Sequence, residues 1–268
     1  LSRSNDRGKS WKSEPNPLVP SGIESTIPFG RIIQLGSNEL VYSCYRSQGH
    51  GNPSETWMVL SNDDGQTWTR RTKFGSDDSN EATLCNLRGG RLLAATRTHI
   101  DHHVKLCELS KIGKRWIEKF PLTLPMQHPA DLTALSDKCL LLTYGIRNRG
   151  LMGIGARLSI DAGKTWRPPW VIHQFGDNAK DIGYPSTVSL DKKGNLLTAF
   201  YTDYEGLGGQ VARKPIDRNG IRSIRHTLRR LQPSTLGPES QGQSHVSSRS
   251  SSNHQPAEPR QAKGATAC

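Results

Sequence analysis

The sequence predicts an all-β protein, a β-propeller of which the chain writes about four and a half blades. Three observations carry that prediction. The phrase Ser-x-Asp-x-Gly-x-Ser/Thr-Trp occurs three times, as SNDRGKSW at 4–11, SNDDGQTW at 61–68 and SIDAGKTW at 159–166. Between the copies a second pattern recurs four times: an apolar run, a polar turn, then a Leu-rich run. Both patterns keep a period near 50 residues, the length of a four-stranded propeller blade.

Composition agrees with short strands and many turns. The 268 residues include 26 Gly and 16 Pro, while hydrophobic residues are only 33% and aromatics 6%. Gly and Pro at this density punctuate a chain more often than long helices tolerate. No apolar run approaches the roughly 20 residues of a membrane-spanning helix. The first residues carry neither an initiator Met nor a basic-then-apolar leader pattern, so localisation is not legible here.

Each element follows in chain order. The copy at 4–11 opens the chain. The stretch RIIQLGSNELVYSCYR (31–46) reads as a β-hairpin, two apolar strands about a polar turn. The second copy follows at 61–68. ATLCNLRGGRLLAATR (82–97) is the next hairpin, and LSKIGKRW (109–116) is a decayed copy, keeping Gly113 and Trp116 but carrying Lys111 in place of Asp. ADLTALSDKCLLLTYGIR (130–147), the copy at 159–166, and STVSLDKKGNLLTAFY (186–201) complete the series. The Leu opening each second strand recurs at 40, 92, 140 and 196, at intervals of 52, 48 and 56 residues. The boxes keep similar time: Asp6 to Asp63 is 57 residues and Asp63 to Asp161 is 98, about twice as long.

The phrase has a structural reading. Asp6, Asp63 and Asp161 accept backbone N–H groups of a tight turn, as Asx-turns do. The Gly supplies a positive φ. Trp11, Trp68 and Trp166 supply apolar bodies to pack against the blade. NDDG superficially suggests a calcium loop, but the distant acidic ligand is missing.

The remainder is less structured. From Arg213 onward there are ten Lys/Arg and three Asp/Glu, so +7 of the net +12 lies in the tail and +5 in the rest. Ser, Gln, Pro and Arg dominate it without strand periodicity, so residues 213–268 are expected to be a disordered basic tail and 1–212 the propeller. No aromatics interleave with its charges, which argues against a nucleic-acid-binding arm. Five cysteines without a close pair argue against a zinc site or a disulfide scaffold, and Cys44 and Cys85 read as small core residues. THIDHH (98–103) clusters three histidines and an Asp, but neighbouring strand residues point to opposite faces, so no metal is expected. EGLGGQ (205–210) lacks the context of a phosphate loop and reads as a turn.

With these phrases, which look like Asp-boxes, and their spacing, the chain resembles the sialidase (neuraminidase) superfamily, the BNR-repeat or Asp-box proteins. The resemblance covers about residues 1–212 and implies a six-bladed propeller, incomplete in this chain. The order of landmarks also carries over. After the box at 61–68 the family has a Glu and an Arg, and SNEATLCNLRGGRLLAATR places Glu81 and Arg97 there. A later Arg corresponds to Arg147, or to Arg149 as the fallback; Arg147 matches Arg97 in ending the second strand of its hairpin. A nucleophilic Tyr after the last box corresponds to Tyr184 in DIGYPSTV, although Pro185 stands where many sialidases carry Ser. Arg46 has the same strand-end placement without a family role, so it is a pocket-lining residue at most.

What the resemblance implies is an exo-α-sialidase type of glycoside hydrolase acting on sialylated or other acidic glycans, with no cofactor and no metal. A planar guanidinium suits the carboxylate of sialic acid, which it can hold with two charge-assisted hydrogen bonds. A neutral Tyr avoids the repulsion an anionic nucleophile would meet, with Glu81 taking its proton. The family's first two arginines and its acid/base Asp precede the first box, which here begins at Ser4. The isolated chain is therefore expected to turn over substrate weakly or not at all. The alternative is a non-catalytic propeller that binds anionic glycans or a protein partner. Relatives are commonly secreted, periplasmic or lysosomal.

Overall fold

The repeated phrase closes the same turn each time. In the computed structural model, Asp63 Oδ1 accepts the backbone N–H of Thr67 at 2.8 Å and the hydroxyl of Ser61 at 2.7 Å, while Oδ2 accepts the hydroxyl of Thr67 at 2.5 Å. Ser61 Oγ in turn accepts the N–H of Gly65 at 2.8 Å. Asp6 and Asp161 repeat the pattern with Ser4 and Ser10, and with Ser159 and Thr165. The Gly has positive φ in every copy (82° at Gly8, 79° at Gly65, 85° at Gly163), and so does the residue before it: Arg7, Asp64 and Ala162, at 60°, 56° and 61°. Two successive left-handed residues reverse the chain tightly, and the sequence reading anticipated only the Gly.

The structure describes residues 2–13, 26–46, 54–74, 79–110, 115–176, 179, 181–191 and 195–203, and the backbone of 229–231. All described regular elements are strands. A hairpin of β1 (Ser2–Arg3) and β2 (Lys12–Ser13) carries the first phrase. Three four-stranded antiparallel meanders follow. The first is β3 (Ile27–Gln34), β4 (Leu40–Arg46), β5 (Glu55–Ser61) and β6 (Thr69–Lys73). The second is β7 (Ser79–Leu87), β8 (Arg91–Thr98), β9 (Val104–Leu109) and β10 (Trp116–Pro121). The third is β11 (Gln127–Ala134), β12 (Leu140–Ile146), β13 (Met152–Ser159) and β14 (Trp170–Gly176). The fourth sheet has β15 (Ile182–Ser189), β16 (Leu196–Thr202) and β17 (Arg229–Leu231). The second and third phrases join the third and fourth strands of their sheets. First strands contact one another in succession, β3 to β7 to β11 to β15, which sets them about a common axis. This is an open, incomplete propeller.

Apolar faces lock neighbouring sheets together. Between the first and second sheets lie Val41, Met58, Leu60, Leu84, Leu92 and Ala94; between the second and third lie Leu93, Leu106, Leu132, Leu140, Leu142 and Tyr144. The recurrent Leu has a specific task. A Cβ on Gly65 would lie 3.5 Å from Leu40, and one on Gly163 would lie 3.2 Å from Leu140. The Leu thus packs beneath the Gly of the phrase, and the two patterns must share a period because they touch. The turn between first and second strands also accepts an N–H from the phrase, Asp64 to Asn38 O at 3.0 Å and Ala162 to Lys138 O at 2.8 Å.

Three details depart from the sequence reading. Trp68 packs edge-on against Tyr42 and Trp166 packs on the core between the second and third sheets, but Trp11 is 65% exposed. Its sheet is a bare hairpin among the described residues, with no inner strands to cover it. Residues 99–103 form the loop between β8 and β9, not a strand, so alternation of faces does not govern their histidines. Arg229–Leu231, within the stretch assigned to the tail, pairs with β16. An open sheet edge offers unpaired backbone groups to any segment, whatever its side-chain periodicity. In the decayed copy, Trp116 is buried and stacks on Phe74 at 4.4 Å, whereas Lys111 and Gly113 lie outside the described residues, as does 205–210. Cys44, Cys85 and Cys107 are buried free thiols, pushed up to about 11 by burial.

Candidate active site

Each of the four first strands carries surplus residues near its beginning. Between Ser79 and Ala82 three steps along β7 face two along β8, and the same holds for Gln127 to Ala130 on β11 and Gly183 to Ser186 on β15. On β3 four steps from Phe29 to Ile33 face two. Such bulges re-aim side chains that would otherwise alternate across the sheet. Glu81, His128 and Tyr184 all sit in them. Tyr184 has φ of 49°, a left-handed conformation that a bulky residue adopts only when its surroundings over-determine it.

These bulges bring the side chains together. Tyr184 donates its hydroxyl to Glu81 Oε1, and Arg97 Nη1 donates to Glu81 Oε2 at 2.8 Å. Glu81 is 3% exposed, so its charge is taken out of water and met by one guanidinium and one phenol. Tyr184 is 44% exposed, which leaves its ring open on one side. Burial of its hydroxyl, then the charge and hydrogen bond of Glu81, push its pKa well above the usual phenol range, while Arg147 opposes them. The phenol is therefore neutral, with a carboxylate positioned to take its proton as it reacts.

Arg147 approaches from the third sheet. Its Nε donates to Ile182 O at 2.8 Å, and its Nη2 donates to Tyr201 Oη at 2.7 Å and lies 3.1 Å from Asp181 Oδ1. The guanidinium carbon is 5.9 Å from the centre of the Tyr184 ring. A Cβ on Gly183 would lie 3.1 Å from Nη2, so this residue must be small for the arginine to pass. Arg149 is exposed in the turn after β12, away from these contacts. Arg46 ends β4 opposite Glu55, half-buried.

Several neighbours escaped the sequence reading. Tyr201 stacks on Tyr184 with ring centres 5.6 Å apart, and the tilted ring of Phe29 lies 6.0 Å from Tyr184. Tyr45 is close enough to Glu81 for the carboxylate to push its phenol up, after burial. His102, at φ 55°, lies 3.1 Å through Nδ1 from Arg97 Nη2 and 5.2 Å, ring to ring, from His128. His128 is 2% exposed with Nδ1 unpartnered; burial, then Arg97, Arg147 and His102, pull it down to about 3, so it is neutral. The repeat register held the signal. HPAD at 128–131 aligns with YPST at 184–187, and Tyr45, Arg97 and Tyr201 all stand five residues after the recurrent Leu. His99 lies 6.0 Å from His102, while Asp101 bonds Thr98 and His103 within the loop. Among the described residues no group of three His, Cys, Asp or Glu side chains is placed to hold a metal.

A family model described as a BNR repeat-like domain matches residues 1–202. No curated protein matches the chain. Solved structures do. A protein of unknown function from Dyadobacter fermentans is 26% identical over 76% of this chain and 60% of its own, with a TM-score of 0.62. A Hadza microbial sialidase is 18% identical over 74% of this chain and 40% of its own, with a TM-score of 0.56. An α-L-arabinanase from Penicillium chrysogenum is 16% identical over 65% and 57%, with a TM-score of 0.53. The chain spans less than two thirds of the length of each. The fold it shares with them is a propeller, and the chain belongs to the BNR repeat-like domain family.

Proposed function

We propose that this chain carries the nucleophile side of a retaining glycosidase site for an acidic sugar of the sialic acid type. The observation that supports the reading best is the Tyr184–Glu81 hydrogen bond, with Arg97 on the second oxygen of the same carboxylate. Tyr184 Oη attacks the anomeric carbon and its proton passes to Glu81 as the C–O bond to the leaving group breaks. The leaving oxygen needs a proton, which we assign to no residue of this chain. Water then attacks the same carbon, giving up a proton to the group that protonated the leaving oxygen, while Glu81 returns its proton to Tyr184 as the tyrosyl–sugar bond breaks. Arg97 and Arg147 flank the couple and provide charge-assisted donors for the sugar carboxylate.

A fluorosugar tests the reading without a general acid, because fluoride leaves unprotonated. Incubated with 2,3-difluorosialic acid, the chain should gain one glycosyl adduct, mapped by peptide mass spectrometry to Tyr184. Tyr184→Phe should gain none. Saturable binding of sialic acid with no adduct would instead establish a binding module.

A further inference from the structure

Two tyrosines with carboxylate partners lie side by side in this site. Tyr184 donates to Glu81; Tyr201 donates to Asp181 Oδ2 at 2.9 Å. Nothing in that pairing alone says which phenol attacks. The difference lies in the oxygen. Tyr201 Oη also accepts a hydrogen bond from Arg147 Nη2 at 2.7 Å, so its lone-pair side faces a guanidinium. Tyr184 Oη accepts no such bond from Arg147, which meets it only over the ring, at 5.9 Å.

We propose that Tyr201 is the positioning residue that couples the nucleophile to the carboxylate clamp. The inference rests on the reading of Tyr184 as nucleophile given above. Three contacts make Tyr201 suited to the task. Its hydroxyl receives Arg147 and passes its own proton to Asp181, fixing the direction of the guanidinium. Asp181 closes the triangle with its other oxygen, 3.1 Å from the same Nη2. Its ring stacks on Tyr184 at 5.6 Å with 29° between planes, supporting a side chain whose backbone is left-handed. Backbone pairing places Tyr201 opposite Gly183, immediately before the nucleophile, so both functions issue from one rung of the fourth sheet. Among the described residues, Arg147 engages this part of the fourth sheet through Nε and Nη2.

The hydroxyl and the ring therefore serve different steps, and substitutions separate them. Inactivation by 2,3-difluorosialic acid gives an apparent binding constant and a rate constant for each variant. Tyr201→Phe keeps the ring and frees Arg147, so binding should weaken about threefold to tenfold with the rate constant within about twofold. Asp181→Asn should resemble it. Tyr201→Leu removes the stack as well and should lower the rate constant at least about tenfold, because small misplacements of a reacting group are costly. Circular dichroism melts confirm folding, and the near-isosteric Phe variant keeps the test alive if the Leu variant unfolds. Wild-type values for Tyr201→Phe, or an adduct found on Tyr201, would overturn the proposal. A silent Tyr201 with the adduct on Tyr184 removes this inference alone; a wild-type chain without adduct removes both readings.

Discussion

At the scale of single residues, the site is a set of charges held in fixed pairs: Glu81 with Arg97, and Asp181 with Arg147. His128 feels both arginines, and burial together with their charges keeps it unprotonated. A group whose pKa is pulled this low does not titrate near neutrality. Imidazole nitrogen shifts of His128 in ¹⁵N NMR should therefore stay those of a neutral ring from pH 5 to 8, with protonation only near pH 3. A midpoint near 6.5 would mean that the arginines do not face it. The sequence named Glu81, Arg97, Arg147 and Tyr184 through the order of residues along a repeat chain, and the structure brings these side chains near one another. Tyr201, Tyr45 and His128 were not singled out, because their importance arises from contacts across strands and between sheets that sequence order does not spell. The register of the repeats would have pointed to them.

At the scale of the element, the phrase and its Leu form one unit, and this unit was the most legible part of the molecule. Its residues are contiguous, so the turn is written in one place. The second left-handed residue was missed because Arg, Asp and Ala carry no conformational signature of their own. Asp63 and Asp161 are held at about 2 by Thr hydroxyls and backbone N–H groups, against an ordinary value of 3.8. Depressed carboxylates stabilise the fold fully above the unfolded value, and the contribution is lost as pH falls through the folded one. The thermal midpoint should therefore be flat above about pH 5, decline below about pH 4, and keep declining toward pH 2. Asp161→Ala should lower the midpoint at neutral pH and flatten this acid limb, while Asp64→Ala, outside the turn's hydrogen bonds through its side chain, should do neither.

At the scale of the whole molecule, contacts cross the axis as well as run around it. Arg31, in the β3 bulge, reaches Asp131 on β11 and the carbonyl of Thr187 on β15. Asp131 is 5% exposed and also accepts the N–H of Thr187 at 2.7 Å. Burial pushes its pKa up and Arg31 pulls it back. Removing the guanidinium leaves a buried carboxylate without its counter-charge. Arg31→Met should cost about 1–3 kcal/mol in denaturant unfolding, and the Asp131→Leu change made on top of it should recover part of the loss. Equal stability of Arg31→Met and the native chain would show that the tie contributes nothing.

The Glu81–Tyr184 bond crosses in the same way, from the second sheet to the fourth with the third between them. The arrangement works as a pair of calipers. Its jaws are two bulges, and its gap is set by the thickness of the sheet they enclose. Tyr144 is flush with that sheet only because Gly155 beside it has no side chain; a Cβ there would lie 2.7 Å from the ring. A methyl group at Gly155 would therefore press on Tyr144 within the core between the second and third sheets. A span from the second sheet to the fourth thus closes only while the sheet between them keeps its packing.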